Sequence, residues 1–139
     1  MIILDTNVVS EMMRREAAVP VRAWLQTQDV RQLWLSAITL AELYYGAQVL
    51  PEGRRKEGLL QQIDRTIAED FGDRVADFSM EAAIAFAEIA AVRRRLGRPI
   101  LPLDCQIAAI ARRYGATLAT RNISDFEDCG IDLIDPWAA

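Results

Sequence analysis

Four acidic residues are the strongest candidates for chemistry in this sequence. They are Asp5, Glu42, Asp104 and Asp125. Asp5 ends a predicted buried strand, Glu42 lies early in a predicted helix, Asp104 begins another helix, and Asp125 lies in a turn after a strand. The carboxyl ends of parallel strands and the helix starts that follow them share one edge of a sheet. We therefore expect these carboxylates to converge, although they are far apart along the chain.

The composition limits the chemistry that such a cluster can perform. The chain has no histidine, which excludes histidine-based acid–base catalysis and histidine-containing zinc sites. The two cysteines, Cys105 and Cys129, form no CxxC motif and are predicted to be free buried thiols. Crowded carboxylates repel one another unless a cation neutralises them. A hard divalent ion such as Mg²⁺ or Mn²⁺ fits an all-oxygen site and can activate water for attack on a phosphate.

Each acid also has an ordinary structural interpretation when it is considered alone. Glu42 completes a match to a capping box with Thr39, Asp104 fits a helix cap or a favourable charge near a helix start, and Asp125 fits a turn cap. Asp5 is harder to explain in this way, because a carboxylate beside a buried strand is costly unless it is paired, protonated or bound to a metal. The metal hypothesis therefore depends on the four acids as a set.

Short apolar runs that alternate with helical patterns must position these acids. This alternation predicts an α/β fold with a mostly parallel sheet of about five strands, in a single domain spanning residues 1–139. The predicted strands are residues 2–4, 33–35, 75–78, 117–120 and 131–134, and the predicted helices are 8–15, one with Pro20 in its first turn, 38–50, 54–71, 80–96 and 104–114. The helix from residue 80 is apolar almost all round, which predicts burial on more than one side, in a subunit interface or at the centre of the monomer.

The overall charge and hydropathy indicate a cytoplasmic protein without a membrane segment. No apolar run approaches the roughly 18 residues of a membrane span, and the first residues lack the features of a secretory signal. The net charge is -4 and the pI is about 4.9, which argues against binding nucleic acid by general charge attraction. Since 15 of the 16 basic residues are arginine, local phosphate contacts remain open.

Five segments of the sequence, in this order, resemble signature motifs of PIN-domain ribonucleases, with the greatest similarity to the VapC and FitB type toxins of bacterial toxin–antitoxin pairs. The segments are residues 3–7 (ILDTN), 36–43 (SAITLAEL), 104–109 (DCQIAA), 118–126 (LATRNISDF) and 135–137 (DPW). The resemblance implies a PIN-like α/β/α sandwich and cleavage of RNA with Mg²⁺ or Mn²⁺. It also implies a homodimer and a small antitoxin of the VapB or FitA kind, whose C-terminal segment covers the active site.

The resemblance also implies roles for individual residues. Asp5 and Asp104 would be the principal metal ligands and Glu42 a third acid of the site. The fourth position is open, because some relatives have an acid where this chain has Asn122, and Asp125 could compensate. The hydroxyls of Thr6 and Thr120 could orient ligands or water, and Arg121 is either a phosphate contact or a surface residue.

Two other functions are compatible with parts of the sequence. A non-catalytic PIN-like interaction domain would keep the fold without the chemistry. A phosphatase using Asp5 as nucleophile would need a second acid at the position of Asn7 and a lysine near the site, but Lys56 is the only lysine.

Overall fold

The centre of the molecule is a five-stranded sheet in which all strands are parallel. The computed structural model describes residues 1–139. The strands are β1 (Ile2–Leu4), β2 (Leu33–Ser36), β3 (Val75–Ala76), β4 (Thr117–Ala119) and β5 (Asp132–Ile134). Their order across the sheet is β3-β2-β1-β4-β5. Strand β1 lies in the middle, where Ile3 pairs with Trp34 on one side and with Leu118 on the other. The predicted α/β class and five-stranded parallel sheet are confirmed.

Six α-helices connect the strands. They are α1 (Thr6–Met12), α2 (Val19–Gln26), α3 (Ala37–Gln48), α4 (Arg54–Thr66), α5 (Met80–Arg95) and α6 (Pro102–Tyr114). A π-helical turn, Ile67–Phe71, follows α4, and a 3₁₀ turn, Ile123–Phe126, follows β4. No helix combines the length and the apolar composition that crossing a bilayer would require.

The sheet separates two hydrophobic cores, because successive side chains of a strand point to opposite faces. In β1, Ile3 belongs to the core beneath α5 and α6, whereas Leu4 belongs to the core that includes Val8 of α1 and Trp24 of α2. All four side chains are buried. The chain is therefore a three-layer sandwich in which β1 is covered on both faces, as its uninterrupted apolar sequence predicts.

Several boundaries differ from the prediction. Helices α1 and α6 each begin two residues earlier than predicted, at Thr6 and Pro102, and β3 ends at Ala76 rather than at Phe78. Proline fits the first turn of α6 because its missing N–H would have no helical partner there. Asp104 is consequently in the first turn of α6, not at its cap.

Helix α5 is not buried on several sides in this chain. Ala82, Ala85 and Ile89 are buried on its inner face, but the Met80 and Ile84 side chains are 75% and 58% exposed. A central position in the monomer is therefore wrong, and the exposed apolar face leaves the interface alternative.

The two cysteines are free and buried, as predicted. Burial raises the pKa of the Cys105 thiol to about 11. A thiol with this pKa is almost entirely protonated at neutral pH, so Cys105 is a packing residue rather than a nucleophile.

Candidate active site

Asp5 lies at the junction of β1 and α1 and is only 5% exposed. Its Oδ1 accepts a hydrogen bond of 2.8 Å from the backbone N–H of Thr6, so Asp5 caps α1. Its Oδ2 accepts a 2.7 Å hydrogen bond from the hydroxyl of Thr120, which directly follows the neighbouring strand β4. Burial raises the pKa of Asp5, and these two hydrogen bonds oppose the shift. Asp5 is thus held in position by the first residue of α1 and by the residue that follows β4.

Glu42 is linked to the first residue of α1 by a hydroxyl group. The hydroxyl of Thr6 donates to Glu42 Oε1 at 2.7 Å and lies 3.1 Å from the hydroxyl of Thr39. The alternative interpretation of Glu42, as part of a capping box with Thr39, is wrong. The cap of α3 is Ser36, whose hydroxyl accepts from the Thr39 N–H at 3.0 Å. Helix α3 therefore begins three residues earlier than a box with Thr39 requires, and Glu42 lies in its second turn, where it is free to contact Thr6.

Asp104 is held near the other acids by the first turn of α6. The pKa of Asp104 is raised to about 6, first by burial and then by the negative charges of Asp5, Asp125 and Glu42. The positive charge of Arg93 partly opposes this shift. Asp5, Glu42 and Asp125 are therefore near enough to Asp104 for their charges to act on its pKa.

Asp125 reaches this edge from the 3₁₀ turn after β4. The residue is exposed, and its carboxylate forms no hydrogen bond with the protein, but its charge raises the pKa of both Asp5 and Asp104. Asn122 contributes through its backbone, since its N–H donates to the Thr120 hydroxyl at 3.0 Å. Of the two alternatives for the fourth position, Asp125 supplies a charge and Asn122 does not.

Asn7 is a site residue to which the sequence analysis assigned no role. Its side-chain amide lies 3.4 Å from both Asp5 Oδ2 and the Thr120 hydroxyl. Its Oδ1 accepts from the backbone N–H of Arg121 at 3.4 Å. The sequence feature that could have identified Asn7 is its position two residues after Asp5, at the start of the first helix.

The donor set suits a hard divalent cation. All side chains at the edge offer oxygen, and the repulsion among the carboxylates would be relieved by positive charge. No three acidic side chains converge closely enough to chelate one ion directly. This arrangement fits Mg²⁺, which binds through one or two carboxylates and keeps several of its waters, better than it fits a fully enclosed ion.

Arg121 lies at the rim of this edge. Its guanidinium stacks over the ring of Trp137, 5.0 Å from the ring centroid, and forms neither a salt bridge nor a side-chain hydrogen bond. The N–H groups of Arg121 thus remain available to an anion. Lys56, which an Asp-nucleophile phosphatase would need near Asp5, instead pairs with Glu52 at 2.6 Å.

Comparison with known proteins identifies the family. The PIN domain matches residues 2–130. The chain is 41% identical over its full length to all of the plasmid stability protein StbB of Pseudomonas syringae pv. tomato. It is 38% identical over 137 residues to the VapC ribonuclease Y4jK of Sinorhizobium fredii, covering 99% of this chain and 98% of that protein. The crystal structure of FitAcB from Neisseria gonorrhoeae superimposes with a TM-score of 0.92 at 34% identity, covering all of both chains. The chain therefore belongs to the PIN-domain family and, within it, to the VapC and FitB type.

Proposed function

We propose that this protein is a metal-dependent ribonuclease, the toxin of a toxin–antitoxin pair. The observation that carries the proposal is the acidic edge formed by Asp5, Glu42, Asp104 and Asp125 in a chain that has no histidine. The ribonuclease name of the Sinorhizobium relative, which aligns over nearly the whole chain, supports the same activity. RNA cleavage at this edge would be hydrolysis of a phosphodiester.

The four acids are proposed to bind a divalent cation together, each with its own role. Asp5, Asp104 and Glu42 would bind Mg²⁺ or Mn²⁺ directly or through its waters, and Asp125 would add a fourth negative charge. The bound ion would lower the pKa of a water molecule and offset charge on the phosphate. Thr120 keeps the Asp5 carboxylate oriented by donating to Oδ2, and this bond favours the ionised form that a cation needs.

Arg121 is proposed to contact an RNA phosphate. The indole of Trp137 holds the guanidinium by a cation–π contact, which uses none of its N–H groups as hydrogen-bond donors to the protein. A planar fork of N–H groups matches the oxygens of a phosphate better than a lysine ammonium does.

A peptide segment of an antitoxin is proposed to occupy the groove beside Glu42. The groove has a volume of about 380 Å³ between α1, α3 and α4, and its apolar wall includes Leu43, Leu59 and Ile63. Relatives of similar fold were solved as toxin–antitoxin complexes, among them VapBC from Salmonella typhimurium. A partner placed here would lie directly over Thr6 and Glu42, which line the same groove.

A second copy of the chain is proposed to cover the apolar face of α5. The exposed side chains are Met80, Ile84, Leu96, Leu101 and Leu103, which are 48–75% exposed. They lie on α5, on the loop to α6 and, for Leu103, in the first turn of α6. Burial of this face in a homodimer would account for the nearly continuous apolar sequence of α5.

Cleavage of RNA by the purified protein tests the proposal. We expect cleavage with Mg²⁺ or Mn²⁺, none in EDTA, and none by Asp5→Asn, whose folding is checked by circular dichroism. Asp132→Asn, at the opposite edge of the sheet, is the matched control and should cleave normally. Sequencing the RNA ends would define the substrate. A folded wild-type protein that cleaves no RNA with either ion would instead favour the non-catalytic interaction domain.

A further inference from the structure

Arg93 is a buried cation without a carboxylate partner. It lies near the end of α5, is 5% exposed, and takes part in none of the salt bridges of the molecule. Its guanidinium donates instead to backbone carbonyls. Nε donates to the oxygen of Arg98 at 2.7 Å, and Nη1 donates to the oxygens of Asp125 and Glu127 at 2.9 and 3.1 Å.

Termination of α5 does not explain why Arg93 is buried. A cation near a helix C-terminus interacts favourably with the helix dipole when it is exposed, and Arg94 and Arg95 occupy such positions in the same turn. Desolvating a charge is costly, and neutral carbonyls compensate for it less well than a carboxylate would. The contacts of Arg93 therefore need an explanation other than termination of α5.

Two of the three carbonyls that accept from Arg93, those of Asp125 and Glu127, belong to the segment that carries the Asp125 side chain. A second arginine, Arg98, holds the same segment from outside. Its Nη2 donates to the Ser124 oxygen at 3.1 Å, and its guanidinium pairs with Glu127 at 3.1 Å and with Asp128 at 3.0 Å. Two arginines at one end of α5 thus hold residues 124–128 through hydrogen bonds and ion pairs.

The position of the Asp125 side chain depends on these hydrogen bonds to the backbone. The carboxylate of Asp125 forms no hydrogen bond that would hold it, whereas Asp5 and Glu42 are each fixed by threonine hydroxyls. The carbonyl of Asp125 itself is the acceptor of the Arg93 bond. Fixing the carbonyl and the turn around it limits where the carboxylate can lie.

We propose that Arg93 is a positioning residue that fixes the Asp125 turn, and through it the fourth carboxylate of the acidic edge. This inference rests on the proposed ribonuclease function. The fork of the guanidinium can reach three carbonyls at once, which the single ammonium of a lysine cannot do with the same geometry.

Arg93→Lys is the most informative variant, because it keeps the positive charge and removes the planar set of N–H donors of the guanidinium. Substitutions in the shell around a metal site commonly reduce metal affinity or activity by roughly 10- to 100-fold, and we expect a loss of this size in turnover with Mn²⁺. Mn²⁺ affinity of the RNA-free protein, measured by calorimetry, should fall as well. Amide hydrogen exchange should become faster across residues 122–129. Arg94→Lys, one position along the same helix, should leave all three measurements unchanged.

A double-mutant cycle separates positioning from simple stabilisation. In an Asp125→Asn background, Arg93→Lys should cause little further loss of turnover, although its effect on the melting temperature should be the same in both backgrounds. Equal losses of turnover with and without Asp125 would overturn the inference, as would unchanged turnover in Arg93→Lys.

Arg98→Lys provides the same test if the Arg93 variant does not fold. Arg98 is partly exposed, so its substitution leaves the core intact. We expect a smaller loss of turnover that again disappears in the Asp125→Asn background, and a loss that persists there would refute the proposal. If the wild-type protein cleaves RNA but shows no coupling, the positioning role alone fails, whereas an inactive wild-type protein contradicts the ribonuclease function itself.

Discussion

Asp104→Asn is expected to stabilise the metal-free protein at neutral pH. Folding raises the pKa of Asp104 from its ordinary value of 3.8 to about 6, through burial and the charges of neighbouring acids. A carboxyl group with a raised pKa stabilises the fold fully below about pH 4, and this contribution is lost as the pH rises to about 6. Above that pH the ionised Asp104 opposes folding, and asparagine removes the charge while keeping nearly the same shape.

The size of the effect follows from the pKa. A shift of this size corresponds to about 3 kcal/mol if the whole of it acts on folding. Because Asp104 is only partly buried, solvent screening reduces the value, and we expect a gain of about 1–2 kcal/mol at pH 7.5. For a chain of this length, such a gain raises the melting temperature by roughly 3–8 °C.

Urea unfolding in EDTA at pH 7.5 and at pH 4 measures this effect. The advantage of Asp104→Asn should be present at pH 7.5 and should shrink at pH 4, where the wild-type residue is protonated. Adding Mn²⁺ at pH 7.5 should stabilise the wild-type protein and should stabilise the variant much less. Asp132→Asn, a control at the opposite edge of the sheet, should change stability by less than about 0.5 kcal/mol. A variant that is less stable than the wild type in EDTA at pH 7.5, or an advantage unchanged at pH 4, would refute this electrostatic account of the site.

Three further substitutions test separate contacts of the site. Ser36→Ala removes the side-chain cap of α3 and should lower the free energy of unfolding by about 1 kcal/mol in urea titrations. Thr120→Val removes the hydrogen bond to Asp5 Oδ2 and should cost about 1–3 kcal/mol, with a larger loss at pH 7.5 than at pH 4, because the bond stabilises the ionised carboxylate. Trp137→Leu removes the ring beneath Arg121 and should raise KM for RNA severalfold with little change in kcat, as steady-state cleavage assays would show.

The sheet edge was predictable because its signals are local and redundant. Each strand that ends at the site is a short apolar run followed at once by a polar residue, as at Asp5, Ser36 and Thr120. In a parallel sheet with helical connections, such ends fall at the same edge whatever the order of the strands. The prediction that Asp5, Glu42, Asp104 and Asp125 approach one another therefore did not require the strand order, which the sequence alone does not reveal.

The hydrogen-bond partners within the site were less predictable. Ser36 and Thr39 are both good helix caps, and only Thr39 has a glutamate three positions later, which favoured the capping box. The structure selects Ser36 because β2 continues to that residue and α3 follows without a loop. This shift frees Glu42 for Thr6, a contact across 36 positions that local sequence patterns do not encode.

The burial of Arg93 follows from the helical spacing of the sequence, but the neighbouring arginines make this spacing hard to recognise. The residue continues the helical spacing of the buried residues Ala82, Ala85 and Ile89, which places it on the inner face of α5. Three consecutive arginines nevertheless resemble an ordinary helix end. Two of the three carbonyls that accept from Arg93 belong to a turn more than 30 residues away.

The same turn suggests why an asparagine at position 122 is compatible with an active site. The Asn122 N–H binds the Thr120 hydroxyl, which also donates to Asp5, so the backbone at this position already supports the site. Burial, and then the negative charges of Asp5, Asp125 and Glu42, already raise the pKa of Asp104 to about 6. An additional acid at position 122 would increase this repulsion in the metal-free protein and raise the pKa of Asp5 further. With Asp125 held by Arg93, the acidic edge has its fourth charge without this additional repulsion.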